Sequence, residues 1–393
     1  MKKLLLITLI LSCLGSVAQV DKEYEQFVKE QQQGMEALQN EKDEGIKKLG
    51  KEYEAYVKAE KEAYNKFVKE REQQWGKGNV IESTQKDWVE YSKDGKSRSV
   101  VDFESGKATI EIILEKGQKV NQAEIEKGVK DLLTNKGKTK DYDSDVEKAV
   151  PLQDKPVLEN QVKTPSGEVV TANNLDKDVK EIAENVKPQV KTIKGEDNVE
   201  RQVVTIQLDL VPDHIRTRAE QYIKEVQKYC ETYNVDPSLA FAIMQTESSF
   251  NPKAKSYVPA YGLMQIVPNT AGADCAQSLK KPFAAPTGNY LYEPENNIEM
   301  GVHYLHLLKK RYYTKVTDTD SQNLCIIASY NTGAGNVAKA LRGDYNIKKA
   351  IPQINSMTYD QLFKYFEQKL MPETQNYIRK VTERMNNFKK WLQ

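Results

Sequence analysis

Asp236-Pro237-Ser238-Leu239-Ala240-Phe241-Ala242-Ile243-Met244-Gln245-Thr246-Glu247-Ser248 is the stretch that decides how the C-terminal half is read. Asp236 has the side chain of an N-cap, and Pro237 suits the first helical position, where its missing N–H costs nothing. Leu239, Ile243 and Glu247 then fall at i, i+4 and i+8, with Met244 beside them. The carboxyl of Glu247 therefore continues the apolar face. It also falls in the last turn, where the helix dipole disfavours negative charge. Burial and dipole together favour the protonated form, which a general acid needs at neutral pH. The plain alternative is a helix-end glutamate reaching back to solvent.

Two later segments strengthen the first. Tyr261-Gly262-Leu263-Met264-Gln265-Ile266-Val267-Pro268 puts one amide, Gln265, inside an apolar run opened by a glycine. Leu324-Cys325-Ile326-Ile327-Ala328 is apolar all round, as expected of a buried helix, and runs into Ser329-Tyr330-Asn331-Thr332-Gly333-Ala334-Gly335. The glycines supply a stop that leaves Tyr330 and Asn331 at the helix mouth. An aromatic face for a sugar ring, with amides for its hydroxyl and acetamido groups, is the lining expected of a carbohydrate cleft.

Toward the N-terminus the character changes. Residues 19–75 are rich in Lys, Glu and Gln, with Tyr53-Glu54-Ala55-Tyr56-Val57-Lys58 echoed eleven positions later by Tyr64-Asn65-Lys66-Phe67-Val68-Lys69. Eleven residues is a whole number of helical turns, so the spacing predicts one apolar stripe on a long helix over about 21–74. Such a stripe serves either a coiled-coil or docking arm, or packing on the chain's own domain. Ser97-Arg98-Ser99-Val100-Val101-Asp102-Phe103 and Ala108-Thr109-Ile110-Glu111-Ile112-Ile113-Leu114 flank Glu104-Ser105-Gly106-Lys107, a hairpin pattern. Asn121–Leu133 reads as an amphipathic helix, 134–200 as polar and including loop or linker, and Gln202–Leu210 as a strand. The expected fold class is α+β: a helical arm at 19–75, a small α+β accessory domain at 76–210, and a mainly helical domain at 211–393.

Composition narrows the function. The 393 residues carry a net charge of +1, from 58 Lys and Arg against 57 Asp and Glu, which speaks against a nucleic-acid partner. The balance is uneven: 211–393 has 23 basic and 17 acidic residues, or +6, and 19–210 has 33 and 40, or −7. A basic C-terminal domain suits an anionic polymer, although so small a difference also serves solubility alone. No apolar run approaches the roughly 18 to 20 residues that span a bilayer. Lys2-Lys3, an apolar Leu4–Leu11 and Ser16-Val17-Ala18 predict a signal peptide over 1–18, cut before Gln19. Ile10-Leu11-Ser12-Cys13 offers a second reading, a lipobox in which Cys13 carries a lipid anchor. Either way the mature chain is expected outside the cytoplasm. Cys230, Cys275 and Cys325 then form one pair with a free thiol, or none. His303 and His306 sit three apart on a helix without a third ligand beside them, so no metal is expected.

Glu247-Ser248, Gly262-Leu263-Met264-Gln265, Ser329-Tyr330-Asn331-Thr332-Gly333 and Glu373-Thr374-Gln375-Asn376-Tyr377-Ile378 occur in this order. Together they resemble the four signature segments of family 1 lytic transglycosylases, over about 211–393, and Pro294-Glu295-Asn296-Asn297-Ile298 fits the same stretch. Lys69-Glu70-Arg71-Glu72-Gln73-Gln74-Trp75-Gly76 and Val101-Asp102-Phe103-Glu104-Ser105-Gly106 resemble the N-terminal domain of a membrane-bound branch of these enzymes. The resemblance implies a lysozyme-like catalytic fold and cleavage of the β-1,4 bond between N-acetylmuramic acid and N-acetylglucosamine in peptidoglycan. Glu247 would be the catalytic acid and base. Ser248, Met264, Gln265, Tyr330, Asn331 and Tyr377 would bind or orient substrate, and Glu373 would be structural. Peptidoglycan glycan strands would be the partner, with no cofactor, in an exported, periplasmic protein held at the outer membrane if Cys13 is lipidated. Ser329 stands where the family usually has Ala, a swap expected to be tolerated beside a helix end.

Two other classes are weighed against this. A goose-type-lysozyme-like hydrolase shares the Glu-Ser and Gly-Leu-Met-Gln segments, but tends to carry an aspartate soon after the second to hold water. Here Ile266-Val267-Pro268-Asn269 follows, and the nearest aspartate is Asp274. A non-catalytic wall-binding protein would have no reason to keep Glu247 together with Gln265, Tyr330 and Asn331.

Overall fold

The computed structural model describes residues 45–115, 117–140, 142, 148–257 and 259–393, with side chains from Glu54 onward. The expected signal segment, Cys13 and the first part of the expected helical arm lie outside the described residues.

A helix runs over Gly45–Trp75. From Ala55 on it belongs to one compact unit with the rest of the chain. The eleven-residue stripe is used internally: Tyr56 and Phe67, one repeat apart, are both buried, as is Trp75 at the end. Phe67 meets Tyr91 edge-on at 5.7 Å, and the Tyr56 hydroxyl accepts from Gly288 N at 3.2 Å. For this part of the helix, packing on the chain's own body is the reading that holds.

Among the described residues, five antiparallel strands form one sheet, in the spatial order first, second, third, fifth, fourth. They are β1 Asp87–Tyr91, β2 Ser97–Asp102, β3 Lys107–Leu114, β4 Gln189–Lys194 and β5 Glu200–Asp209. The predicted hairpin is β2–β3, closed with Asp102 opposite Lys107. Strand alternation divides the sheet between two cores. Trp88, Ile110, Ile112, Val204 and Ile206 face the helices Gln122–Thr134 and Leu175–Asn185. Val89, Tyr91 and Val203 face Phe67 and Trp75. Asn121 caps the first of those helices in a full capping box with Glu124.

The polar stretch read as including loop or linker contains the second helix and β4. β4 is exposed along almost its whole length. It is held by its ladder to β5, which needs no apolar residue, and so its sequence shows no alternation.

From His214 on the chain is helical, with a separate core. Pro237–Ser248 and the last helix, Pro372–Trp391, pack together: Phe241 stacks on Phe388 at 5.3 Å and meets Trp391 edge-on at 5.4 Å. Cys230, Cys275 and Cys325 are all buried and unpaired. The architecture is α+β, mainly helical after residue 213.

Candidate active site

The Pro237–Ser248 helix starts as its sequence dictates. The Asp236 carboxylate accepts from Ser238 N at 2.8 Å and from Ser238 Oγ at 2.7 Å. Leu239 through Met244 are all buried. Its end is abrupt. Ser249 and Phe250 take left-handed backbone angles, φ 50° and 62°, which side chains adopt at a cost. The fully buried Phe250 ring and the Asn251 amide hold that geometry. Asn251 Nδ2 donates to the carbonyls of Thr84, Gln85 and Asp87 at 3.3 to 3.4 Å.

Tyr261 and Ile266 exchange two backbone hydrogen bonds of 3.1 Å, which close Gly262-Leu263-Met264-Gln265 into a tight loop. Gly262 sits at φ 73°, and a Cβ there would strike Asn297 Nδ2 and the Leu291 carbonyl. Asn297 is the loop's bracket. Its side chain donates to Tyr261 O and Leu291 O, both at 2.7 Å, and accepts from Met264 N at 2.7 Å. Gln265 is also left-handed, at φ 49°. Its Nε2 donates to Ala254 O and Gly262 O at 3.0 Å, and its Oε1 accepts from Gln85 Nε2 at 3.2 Å.

Three helices, Pro237–Ser248, Thr319–Thr332 and Pro372–Trp391, bring the remaining groups together. Tyr377, on the last helix, donates from its hydroxyl to Glu247 Oε1 at 2.6 Å. Tyr330, on the helix Thr319–Thr332, donates to the Met264 carbonyl at 2.7 Å and so ties the loop to the site. Asn331 accepts from Thr374 Oγ1 at 2.7 Å and donates to the exposed Glu373 at 3.5 Å. Burial lifts the Glu247 carboxyl to about 7, against the lowering pull of the Tyr377 bond and the Lys86 ammonium, while Glu373 adds to the rise. Burial also holds the Tyr330 and Tyr377 hydroxyls well above the ordinary tyrosine range, so both stay protonated donors.

Glu247 and Tyr377 are thus in direct contact, and the charge of Glu247 acts on Tyr330 as well. Ser248 and Met264 lie behind them. Ser248 is fully buried and spends its hydroxyl on Met244 O at 3.0 Å and Leu263 O at 2.8 Å. Met264 is fully buried against Gly301, where a Cβ would strike it. Gln265 is nearly buried and pinned by three bonds, and Asn331 stands half-buried at the rim. A carboxyl poised near neutrality with a fixed donor on one oxygen can both give and take a proton.

Sequence reasoning missed three contributors. Asn297 lay inside a quoted segment, but its bracketing role is visible only in the folded loop. Lys86 and Gln85 come from 160 and 180 residues away and carry no local signal. Asp274, the nearest aspartate after the loop, is engaged with Arg311 at 3.1 Å. His303 bonds Ser278 Oγ at 2.9 Å, and His306 bonds the Tyr233 carbonyl at 2.7 Å.

Residues 224–352 match the family model described as Transglycosylase SLT domain. Residues 46–221 match the one described as Membrane-bound lytic murein transglycosylase C, N-terminal domain. The chain is 34% identical over 322 residues to a membrane-bound lytic murein transglycosylase C of Sodalis glossinidius (strain morsitans), covering 81% of this chain and 87% of that one. It is 32% identical over 321 residues to the protein of that name from Mannheimia succiniciproducens, covering 81% and 86%. Among solved structures it is similar to the 70 kDa soluble lytic transglycosylase of Escherichia coli, 24% identical, with a TM-score of 0.35 over 44% of this chain and 24% of that chain. With family models matched over residues 46–221 and 224–352, and relatives above 30% identity covered over more than four fifths of their length, the chain belongs to the membrane-bound lytic murein transglycosylase C family.

Proposed function

We propose that this chain is a peptidoglycan lytic transglycosylase in which Glu247 alone carries both proton transfers. In its protonated form Glu247 gives its proton to the glycosidic oxygen between N-acetylmuramic acid and N-acetylglucosamine. The resulting carboxylate then takes the proton of the muramoyl C6 hydroxyl, whose oxygen closes on the anomeric carbon to leave a 1,6-anhydro end. Most glycosidases divide these duties between two carboxylates. Here the substrate's acetamido group and C6 hydroxyl stand in for the second. Tyr377 aims the carboxyl, Tyr330 and Asn331 face the sugar, and Ser248, Met264 and Gln265 hold the loop beside it. The observation that carries the reading is the Glu247 carboxyl itself, lifted to about 7 by burial and fixed by a 2.6 Å bond from Tyr377. The +6 balance of residues 211–393 suits an anionic glycan.

Mass spectrometry of muropeptides released from purified sacculi tests this. Wild type should release 1,6-anhydro ends, and Glu247→Gln should release on the order of 10³-fold less or below. Reducing ends from wild type would make the chain a hydrolase instead.

We also propose that the mature chain lies outside the cytoplasm, in the periplasm, either cut before Gln19 or held at the outer membrane through a lipidated Cys13. No helix among the described residues is long and apolar enough to cross a membrane. Detergent-phase partition that Cys13→Ser abolishes would support the anchor. A soluble mature chain beginning at Gln19 would reject it.

A further inference from the structure

Carbonyls at the C-terminal end of a helix have no intrahelical donor and carry the negative end of the dipole. The helix that bears Glu247 ends this way, inside the protein. Lys86, on the loop leading into β1, reaches across to it: Nζ donates to Gln245 O at 3.0 Å and to Thr246 O at 2.7 Å. Those two residues directly precede Glu247. No carboxylate among the described residues lies within ion-pair distance of the Lys86 ammonium, so its bonds go to the helix end.

The loop around Lys86 is itself locked to the catalytic segments. Asn251 binds its carbonyls at Thr84, Gln85 and Asp87, and Gln85 binds Gln265. Arg384 donates to Thr246 Oγ1 at 3.1 Å and lies 3.6 Å from Glu104, so the turn is held from a second side.

We propose that Lys86 is a positioning residue of the transglycosylase reaction: it fastens the last turn of the Glu247 helix and supplies the positive charge under which Glu247 exchanges its proton. The inference rests on the reading of Glu247 as acid and base. It makes the sheet-bearing front region a working part of the site, contributing a charge that the C-terminal helices do not place there.

The charges around the pair fix the direction of the effect. Glu247 feels Tyr377 and Glu373 from the last helix, Tyr330 from the helix Thr319–Thr332, and Lys86 from the loop. Lys86 lowers the Glu247 carboxyl against burial. Burial brings the Lys86 ammonium itself down to about 8, with Glu104 and Glu247 holding it up and Arg384 and Lys380 pressing it down. Removing the charge therefore raises Glu247, and the alkaline limb of activity moves up with it.

The test uses the full chain and soluble glycan strands, with Lys86→Met, Lys86→Arg and Glu247→Gln in parallel and thermal melting as the folding control. Lys86→Met should lower kcat about tenfold or more with KM nearly unchanged, because a small displacement of a reacting group is costly. It should also move the alkaline limb of the pH profile up by about one unit, the lower end of what an opposite charge does. Lys86→Arg should keep the limb where wild type has it. Lys86→Met with wild-type kcat and an unmoved limb, beside an inactive Glu247→Gln, overturns the role of Lys86 and leaves Glu247 standing. An active, folded Glu247→Gln overturns the Glu247 reading itself. If Lys86→Met does not fold, Lys86→Arg decides: a shifted limb in a folded protein overturns the proposal, and an unmoved one supports it.

Discussion

The Tyr377 hydroxyl donates to Glu247 Oε1 at 2.6 Å, across 130 residues of sequence. The contact joins the last turn of one helix to the first turns of the chain's final helix, and it settles which oxygen of the carboxyl is held. Under the proposed mechanism the other oxygen would carry the proton that moves.

The first prediction concerns pH. Glu247 is lifted from 4.5 to about 7, so the acid form needed for the first transfer is lost above neutrality. kcat/KM should fall about tenfold per unit above roughly pH 7. Stability follows with a definite sign. A carboxyl whose folded value is raised binds its proton more tightly when folded, so its contribution is complete below 4.5 and is lost as pH rises toward 7. Glu247→Gln should therefore gain on wild type over that window, by on the order of 1–3 kcal/mol. Melting curves of both proteins at several pH values check this. A constant difference would remove the raised carboxyl from the account.

The second concerns the donor. Tyr377→Phe keeps the buried ring and removes the bond that pulls Glu247 down. The alkaline limb should move up, and kcat should fall about tenfold as the carboxyl loses its fixed orientation. Above pH 7 the unpaired carboxylate should cost about 1–3 kcal/mol. Rate profiles and denaturant curves above and below neutrality separate these effects. A variant with wild-type kcat and limb would make Tyr377 a packing residue.

What the sequence disclosed was whatever depends on local periodicity. Glu247 stood out because it extends an apolar stripe after Asp236-Pro237, and Phe67 because it repeats Tyr56 eleven positions on. β2 and β3 were legible as a hairpin because each alternates. β4 was not, since an almost wholly exposed edge strand, Gln-Val-Lys-Thr-Ile-Lys, is held mainly by its ladder to β5 and carries no regular apolar alternation. Ser248, which the resemblance gives a part in orienting the sugar and Glu247, turns its hydroxyl inward to Leu263 O, a partner no local pattern reveals. The dipole expected to disfavour charge on Glu247 is partly offset in the fold, which sets Lys86 on the Gln245 and Thr246 carbonyls and Arg218 Nε on Ser249 O at 3.1 Å. Partners so distant in sequence leave no mark on a local pattern.

The third prediction concerns the loop. Gly262 combines φ 73° with backbone and Asn297 atoms where a Cβ would stand. Gly262→Ala should destabilise by about 2–4 kcal/mol, from left-handed strain and overpacking together. Because Asn297 also holds Met264 N, the displacement passes to Gln265 and activity should fall further than stability requires. Denaturant unfolding with kcat measured well below the transition gives both quantities. An alanine variant of unchanged stability would mean that the loop has another accessible form.

The last prediction concerns Ser329, expected from sequence to replace an alanine harmlessly beside a helix end. It is instead fully buried, and its hydroxyl shares a 2.5 Å hydrogen bond with the buried Tyr313. The serine is accommodated because it has a partner. Ser329→Ala strands the Tyr313 hydroxyl, and Tyr313→Phe strands Ser329, so each single change should cost about 1–3 kcal/mol. Together they leave no orphan, and the double variant should be more stable than the sum of the singles predicts by about 0.5–3 kcal/mol. Ser329 precedes Tyr330, whose bond to Met264 O is made by a different side chain, so kcat of the double variant should stay within a few-fold of wild type. Urea unfolding of the four proteins closes the cycle. Additive costs would show that the two hydroxyls do not depend on each other, and the tolerance of serine at this position would then rest on something other than Tyr313.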